Sequence, residues 1–124
     1  TYTPFSLIGL REHGGLVLFT VAWSLAAAGI LFKLFTTGRF RGLSTALYVA
    51  MGWMALFAGP AMLEHLPSDT LAWLAAGGVS YTAGVLFYLR RSLRFSHAVW
   101  HLFVIAGSVC HFVAVTQQII AAEY

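Results

Sequence analysis

The sequence predicts an all-α transmembrane helical bundle, and three observations carry that prediction. Apolar residues fill 60% of the 124 positions and charged residues 9%, with a mean hydropathy of +0.82. A soluble domain of this size needs far more polar surface, so the solvent is lipid. Four runs without Asp, Glu, Lys or Arg cover residues 14–32, 42–63, 70–89 and 95–122. Each is near or above the ~20 residues that cross a bilayer core. None alternates with period 2, and backbone groups in lipid must be paired internally, so the spans are helices and not barrel strands. The expectation is one integral-membrane domain with four complete spans over about 15–35, 43–63, 70–89 and 97–120.

Taken in order, Thr1 to Leu10 is apolar but too short to cross. It is either the tail of an earlier helix or an interfacial segment with Tyr2 and Phe5 as anchors. The chain opens on a threonine and shows no signal peptide, so it is expected to be processed or truncated at its start. The first span carries Ala22, Ala26 and Gly29 on one face, a small-residue seam, and ends near Lys33, which is long enough to snorkel to the headgroups. In the second span Ser44, Tyr48, Gly52, Ala55 and Gly59 fall within roughly 80° of one another. Pro60 is expected to kink or end its last turn.

Leu66-Pro67-Ser68-Asp69 predicts a turn, with Ser68 or Asp69 capping the next helix. The third span sets Gly77, Ser80, Tyr81, Gly84 and Tyr88 on one side, a crowded face where a phenol can hydrogen-bond across the bundle. Cys110 stands alone in the last run, which excludes a disulfide framework. The net charge of +3 is punctuation between spans and gives no sign of nucleic acid binding. Lys33 to Arg41 carries +3, Glu64 to Asp69 carries −2 and Arg90 to Arg94 carries +3. The positive-inside rule then places the two basic connections in the cytoplasm and the C-terminus outside, with His13 and His65 on the outer face.

The chemistry concentrates in the fourth span. His97 and His101 are four apart, one turn above the other on one helix face, which is the spacing one metal ion needs. With His97 at zero and about 100° per residue, His101, Ser108, His111 and Gln118 all lie between roughly −60° and +40°. Polar groups facing lipid are costly, so this stripe is expected to face the bundle interior. His111 lies about 15 Å beyond His101 along the axis and cannot share its metal; interhelical hydrogen bonding is its expected role. Tyr81 and Tyr88 are expected to join Ser108 and His111 in the interior polar stripe. A catalytic zinc takes about three protein ligands plus water, and the residues supply two. Haem fits poorly, because its axial ligands sit on opposite sides of the ring. Carboxylate-bound cations fit less well, since no Asp or Glu lies within a span.

Five stretches carry a family resemblance: Thr1-Tyr2-Thr3-Pro4-Phe5, Gly38-Arg39-Phe40, Leu47 to Trp53, Tyr81 to Tyr88 and, most specifically, Ser96-His97-Ala98-Val99-Trp100-His101-Leu102-Phe103-Val104. Together they resemble the bacterial hemolysin III family, related to the progestin and adiponectin receptor (PAQR) family. The resemblance implies a seven-helix protein with a cytoplasmic N-terminus, of which this chain would be the end of the third helix through the seventh. It implies zinc on His97 and His101, with a third histidine, a serine and an aspartate all upstream of Thr1. Zinc so held keeps a position open for water, brings its pKa near ~7 and polarises a carbonyl.

The functional expectation is a zinc-dependent hydrolase of lipid amide or ester bonds near the cytoplasmic face of a bacterial inner membrane. Membrane lipids would be its partners and a lipid its substrate. A pore-forming, cytolytic protein is the alternative, as is a non-catalytic receptor or lipid sensor with structural zinc. The stripe is narrow and has no charge ring, which counts against a pore.

Overall fold

A computed structural model describes residues 1–36, 39, 41–54, 59–90 and 92–123. Every element among them is helical: α1 (Tyr2–Pro4), a π-helix (Phe5–Gly9), α2 (Gly15–Phe35), α3 (Arg41–Gly52), α4 (Gly59–His65), α5 (Ser68–Leu89) and α6 (Ser96–Glu123). Three of them, α2, α5 and α6, are long and apolar enough to cross a membrane. The chain forms two compact units, Tyr2–His65 and Leu66–Tyr124, the second also taking in Thr1.

In the first unit the chain is already helical at Tyr2 and widens into a π turn, closed where the Leu10 N–H donates to the Phe5 carbonyl at 2.9 Å. Phe5 is 2% exposed and Leu10 1%. Phe5 is therefore a core residue and not the interfacial anchor expected from sequence. Tyr2 is likewise engaged within the fold, since its hydroxyl meets the carbonyls of Met51 (3.0 Å) and Gly52 (2.7 Å) at the end of α3. The single phenol O–H is shared between the two carbonyls.

A tight turn leads into α2. The Leu10 carbonyl accepts from the N–H groups of both His13 (3.0 Å) and Gly15 (2.8 Å), and Gly14 adopts a left-handed φ of 87°. Only glycine fits at 15, where a Cβ would run into the carbonyls of Ser6 and Leu10. Along α2, Ala22 is buried and Ala26 and Gly29 are half-buried, while Val21, Trp23, Leu25 and Ile30 are exposed, so the small-residue seam is present. Lys33 at its end holds its ammonium 5.7 Å from the centre of the Tyr48 ring.

The expected second span, 43–63, is described as α3 and α4, and residues 55–58, including Ala55 of the expected polar face, lie outside the described residues. Pro60 is the second residue of α4.

The second unit is an antiparallel hairpin of α5 and α6. The start of α5 differs from expectation: the helix opens at Ser68 with Pro67 as its cap residue and no side-chain cap. The Ser68 hydroxyl is spent on its neighbour Asp69 at 3.4 Å. Asp69 still lies in the first turn, where its charge suits the helix dipole.

The buried positions of α5 are Thr70, Gly77 and Gly84, one every seven residues, and α6 buries Gly107, Ala114 and Gln118. That repeat is the signature of helices packed at a shallow angle along one seam. Glycines receive rings across it. A Cβ on Gly77 would overlap the His111 ring, one on Gly107 would press the Tyr81 ring at 3.0 Å, and one on Gly84 would meet Phe103 Cβ at 2.9 Å. Phe87 stacks on Phe103 with centroids 5.3 Å apart.

Candidate metal site at the head of α6

Phe95 turns the chain into α6. It takes a left-handed φ of 62°, uncommon for a bulky residue, and its carbonyl accepts the Val99 N–H at 3.0 Å. Ser96 opens the helix and His97 follows in its first turn. One turn later His101 brings its Nε2 to 3.1 Å from the Nε2 of His97, with the rings nearly perpendicular at 89°. The i, i+4 spacing thus converges the two nitrogens on one point, and both side chains are exposed.

Trp100 fixes them from the side. Its ring lies 4.5 Å from that of His101 and 5.1 Å from that of His97, and Tyr88 of α5 packs on it at 5.1 Å. Gly84 of α5 faces it, where a Cβ would sit in van der Waals contact at 3.4 Å from Trp100 Cδ1. Tyr88 therefore acts by packing its ring behind the tryptophan that holds both imidazoles. Sequence reasoning assigned no role to Trp100; the signal was there in a Trp flanked by the two histidines and facing the Gly-rich side of the preceding helix.

The polar stripe divides. Measured around the axis from Gly107 at the centre of the seam, His111 and Gln118 lie within about 40° of it, whereas His97, Ser108 and His101 lie at about 80–120°. His111 joins the helices: its Nε2–H donates to the Leu74 carbonyl at 3.3 Å and its ring edge faces Tyr81. That bond runs from α6 to α5. Ser108 donates to Val104 of its own helix at 2.9 Å, so its 2.7 Å contact with Tyr81 has the phenol as donor. Ser80 adds a third polar link, donating to the Phe103 carbonyl at 2.9 Å. His97 and His101 stay outside this network, on a flank open to a further donor.

Zinc–nitrogen bonds of ~2.0–2.1 Å at a tetrahedral angle separate two ligand nitrogens by about 3.3 Å. The histidine pair at 3.1 Å fits that separation. Among the described residues no three His, Cys, Asp or Glu side chains gather at one point.

Helices of membrane length and a hairpin sealed by glycine and aromatic contacts, with an imidazole pair at its head, are those of a multi-pass α-helical membrane protein. The family model for haemolysin-III related proteins matches residues 1–112, and the chain belongs to that family. It is 44% identical over 115 residues to "Hemolysin-3" of Bacillus cereus, covering 93% of this chain and 52% of the relative. Similarity extends to the human "Monocyte to macrophage differentiation factor", 30% identical over 122 residues, with 96% of this chain and 49% of that protein covered. It reaches the rice "Heptahelical transmembrane protein ADIPOR2", 30% identical over 108 residues, with 74% and 47% covered. The chain thus spans about half the length of these relatives. No solved structure matches it.

Proposed function

We propose that His97 and His101 are two of three protein ligands of a zinc ion in a membrane-embedded hydrolase acting on lipid amide or ester bonds. The observation that carries the proposal is the convergence of the two Nε2 atoms at 3.1 Å on an exposed flank, backed by Trp100. The third donor is a histidine upstream of Thr1, in the half of the relatives' length that this chain does not span. Such an ion supplies an activated water and a polarised carbonyl. What the chain's own residues do is orient: Trp100 and Tyr88 keep both imidazoles on one side, and the hairpin seam keeps α6 from rotating. The basic connections lie in the cytoplasm and the C-terminus outside, which sets the pair near the cytoplasmic face of a bacterial inner membrane. Ester and amide linkages of lipids lie at that depth.

The test is metal content and turnover in the full-length protein. Stoichiometric zinc, lost together with lipid hydrolysis in His97→Ala and His101→Ala, is the expected result. Absence of zinc, or variants with unchanged zinc and hydrolysis, would overturn the proposal. A second reading, a pore-forming, cytolytic protein, follows the printed name of the Bacillus cereus relative, "Hemolysin-3". It requires leakage of dye from liposomes that is insensitive to chelator. Zinc retained without turnover of any lipid would favour a receptor or lipid sensor instead.

A further inference from the structure

The connection between α5 and α6 carries chemistry that the histidine pair does not use. The Arg90 N–H donates to the Leu86 carbonyl at 3.2 Å and closes α5. The Leu93 N–H then donates to the Arg90 carbonyl at 3.4 Å, and the Ser96 N–H to the Leu93 carbonyl at 3.2 Å. Successive turns thus carry the chain into α6, and Arg90, Leu93, Arg94 and Phe95 are all exposed on them.

Charge along this hairpin cannot balance internally. Between Asp69 and Glu123 the sequence has no carboxylate. Asp69 lies in the first turn of α5 and Glu123 ends α6, so both stand at the open end of the antiparallel pair. Arg90 and Arg94 stand at the closed end, beyond the 22 residues of α5, a distance of about 33 Å at 1.5 Å per residue. Salt screens charges over about 8 Å at physiological ionic strength. The counter-charge for these guanidinium groups therefore comes from outside the hairpin.

The apolar side chains on the same turns narrow its source. Leu93 is 45% exposed and Phe95 73%. The Arg94 guanidinium carbon lies 5.8 Å from the centre of the Phe95 ring, so cation and aromatic form one exposed patch. Both flanking helices are of membrane length, which sets the patch at the membrane interface. A soluble anion would match the arginines and leave Leu93 and Phe95 in water. A phospholipid matches both, with its phosphodiester on the guanidinium groups and its acyl chains against the apolar side chains.

We propose that Arg90, Leu93, Arg94 and Phe95 form a binding site for an anionic phospholipid of the leaflet reached by the closed end of the hairpin. Binding ties that end to the headgroup layer, three residues from His97, and needs no metal. Full-length protein in detergent is titrated separately with phosphatidylglycerol and phosphatidylcholine, and bound lipids are counted by native mass spectrometry. The parent should prefer phosphatidylglycerol, and the preference should weaken as salt rises. Arg90→Gln and Arg94→Gln should each lower phosphatidylglycerol affinity about fivefold, and the double variant about 25-fold, with phosphatidylcholine binding unchanged. Arg94→Lys keeps the charge without the planar fork and should fall between parent and Arg94→Gln. His97→Ala, which removes a proposed zinc ligand, should leave lipid preference unchanged, so the two proposals fail separately. Glycerophosphoglycerol, the same headgroup without acyl chains, should not displace the lipid. A double variant that binds phosphatidylglycerol like the parent, a parent without preference for it, or displacement by the free headgroup overturns the proposal.

Discussion

The α5–α6 hairpin and the Tyr2–His65 unit are built from similar apolar runs, but they join their helices differently. In the hairpin both helices are unbroken and interlock along their length, ring into glycine at Gly77, Gly84 and Gly107. In the Tyr2–His65 unit α2 is continuous, whereas the run after it is described as two shorter helices. There a single phenol, Tyr2, meets the carbonyls at the end of α3. The glycines differ accordingly: a Cβ on Gly29, Gly42, Gly52 or Gly59 would meet nothing within 4 Å. Glycine therefore has several uses here. In the hairpin it is a socket for a ring; in the other unit Gly14 and Gly15 make the tight turn into α2, while Gly29, Gly42, Gly52 and Gly59 leave open space.

Substitutions sharpen that contrast, and the largest effect belongs to the tightest socket. Gly77→Ala puts a methyl into the His111 ring, and overpacking of this kind costs about 1–3 kcal/mol. Thermal unfolding in detergent should show a clear loss of stability. A Gly77→Ala protein as stable as the parent would break the hairpin account. Next comes the buttress: Trp100→Leu leaves both imidazoles without their flanking ring, and zinc affinity should fall about 10–100-fold, as for other groups that orient metal ligands. Competition with a chromophoric chelator measures it. Tyr81→Phe removes one interhelical hydrogen bond to Ser108, and such bonds in membranes average ~0.6 kcal/mol. The smallest change is Gly29→Ala. With open space at the Cβ and a helix interior around it, the change should be neutral or stabilising by up to ~1 kcal/mol. If Gly29→Ala and Gly77→Ala cost the same, the distinction between socket and open surface fails.

How far each feature could be foreseen depended on how local its cause was. The membrane helices α2, α5 and α6 follow from run length and hydropathy, which are local properties. The tyrosine and glycine face of α5 was legible because its period is that of one helix, and the Tyr81 phenol does bond across the hairpin. The end of α3 at Gly52 was not, because the Tyr2 hydroxyl that meets the Met51 and Gly52 carbonyls comes from about 50 residues earlier. Of the two readings of Thr1 to Leu10, the interfacial one with Phe5 as an anchor is not met, since Phe5 is 2% exposed. At the candidate site the i, i+4 spacing made the closeness of His97 and His101 legible. The role of Trp100 required knowing that Gly84 faces it.

The central claim is that the His97–His101 pair holds zinc. Full-length protein purified without added metal and analysed by elemental spectroscopy tests it most directly, alongside His97→Ala and His101→Ala purified in the same way. The account predicts stoichiometric zinc in the parent and its loss in both variants, with His111→Ala retaining the metal. Zinc that persists without either imidazole, or a parent that carries none, would contradict it.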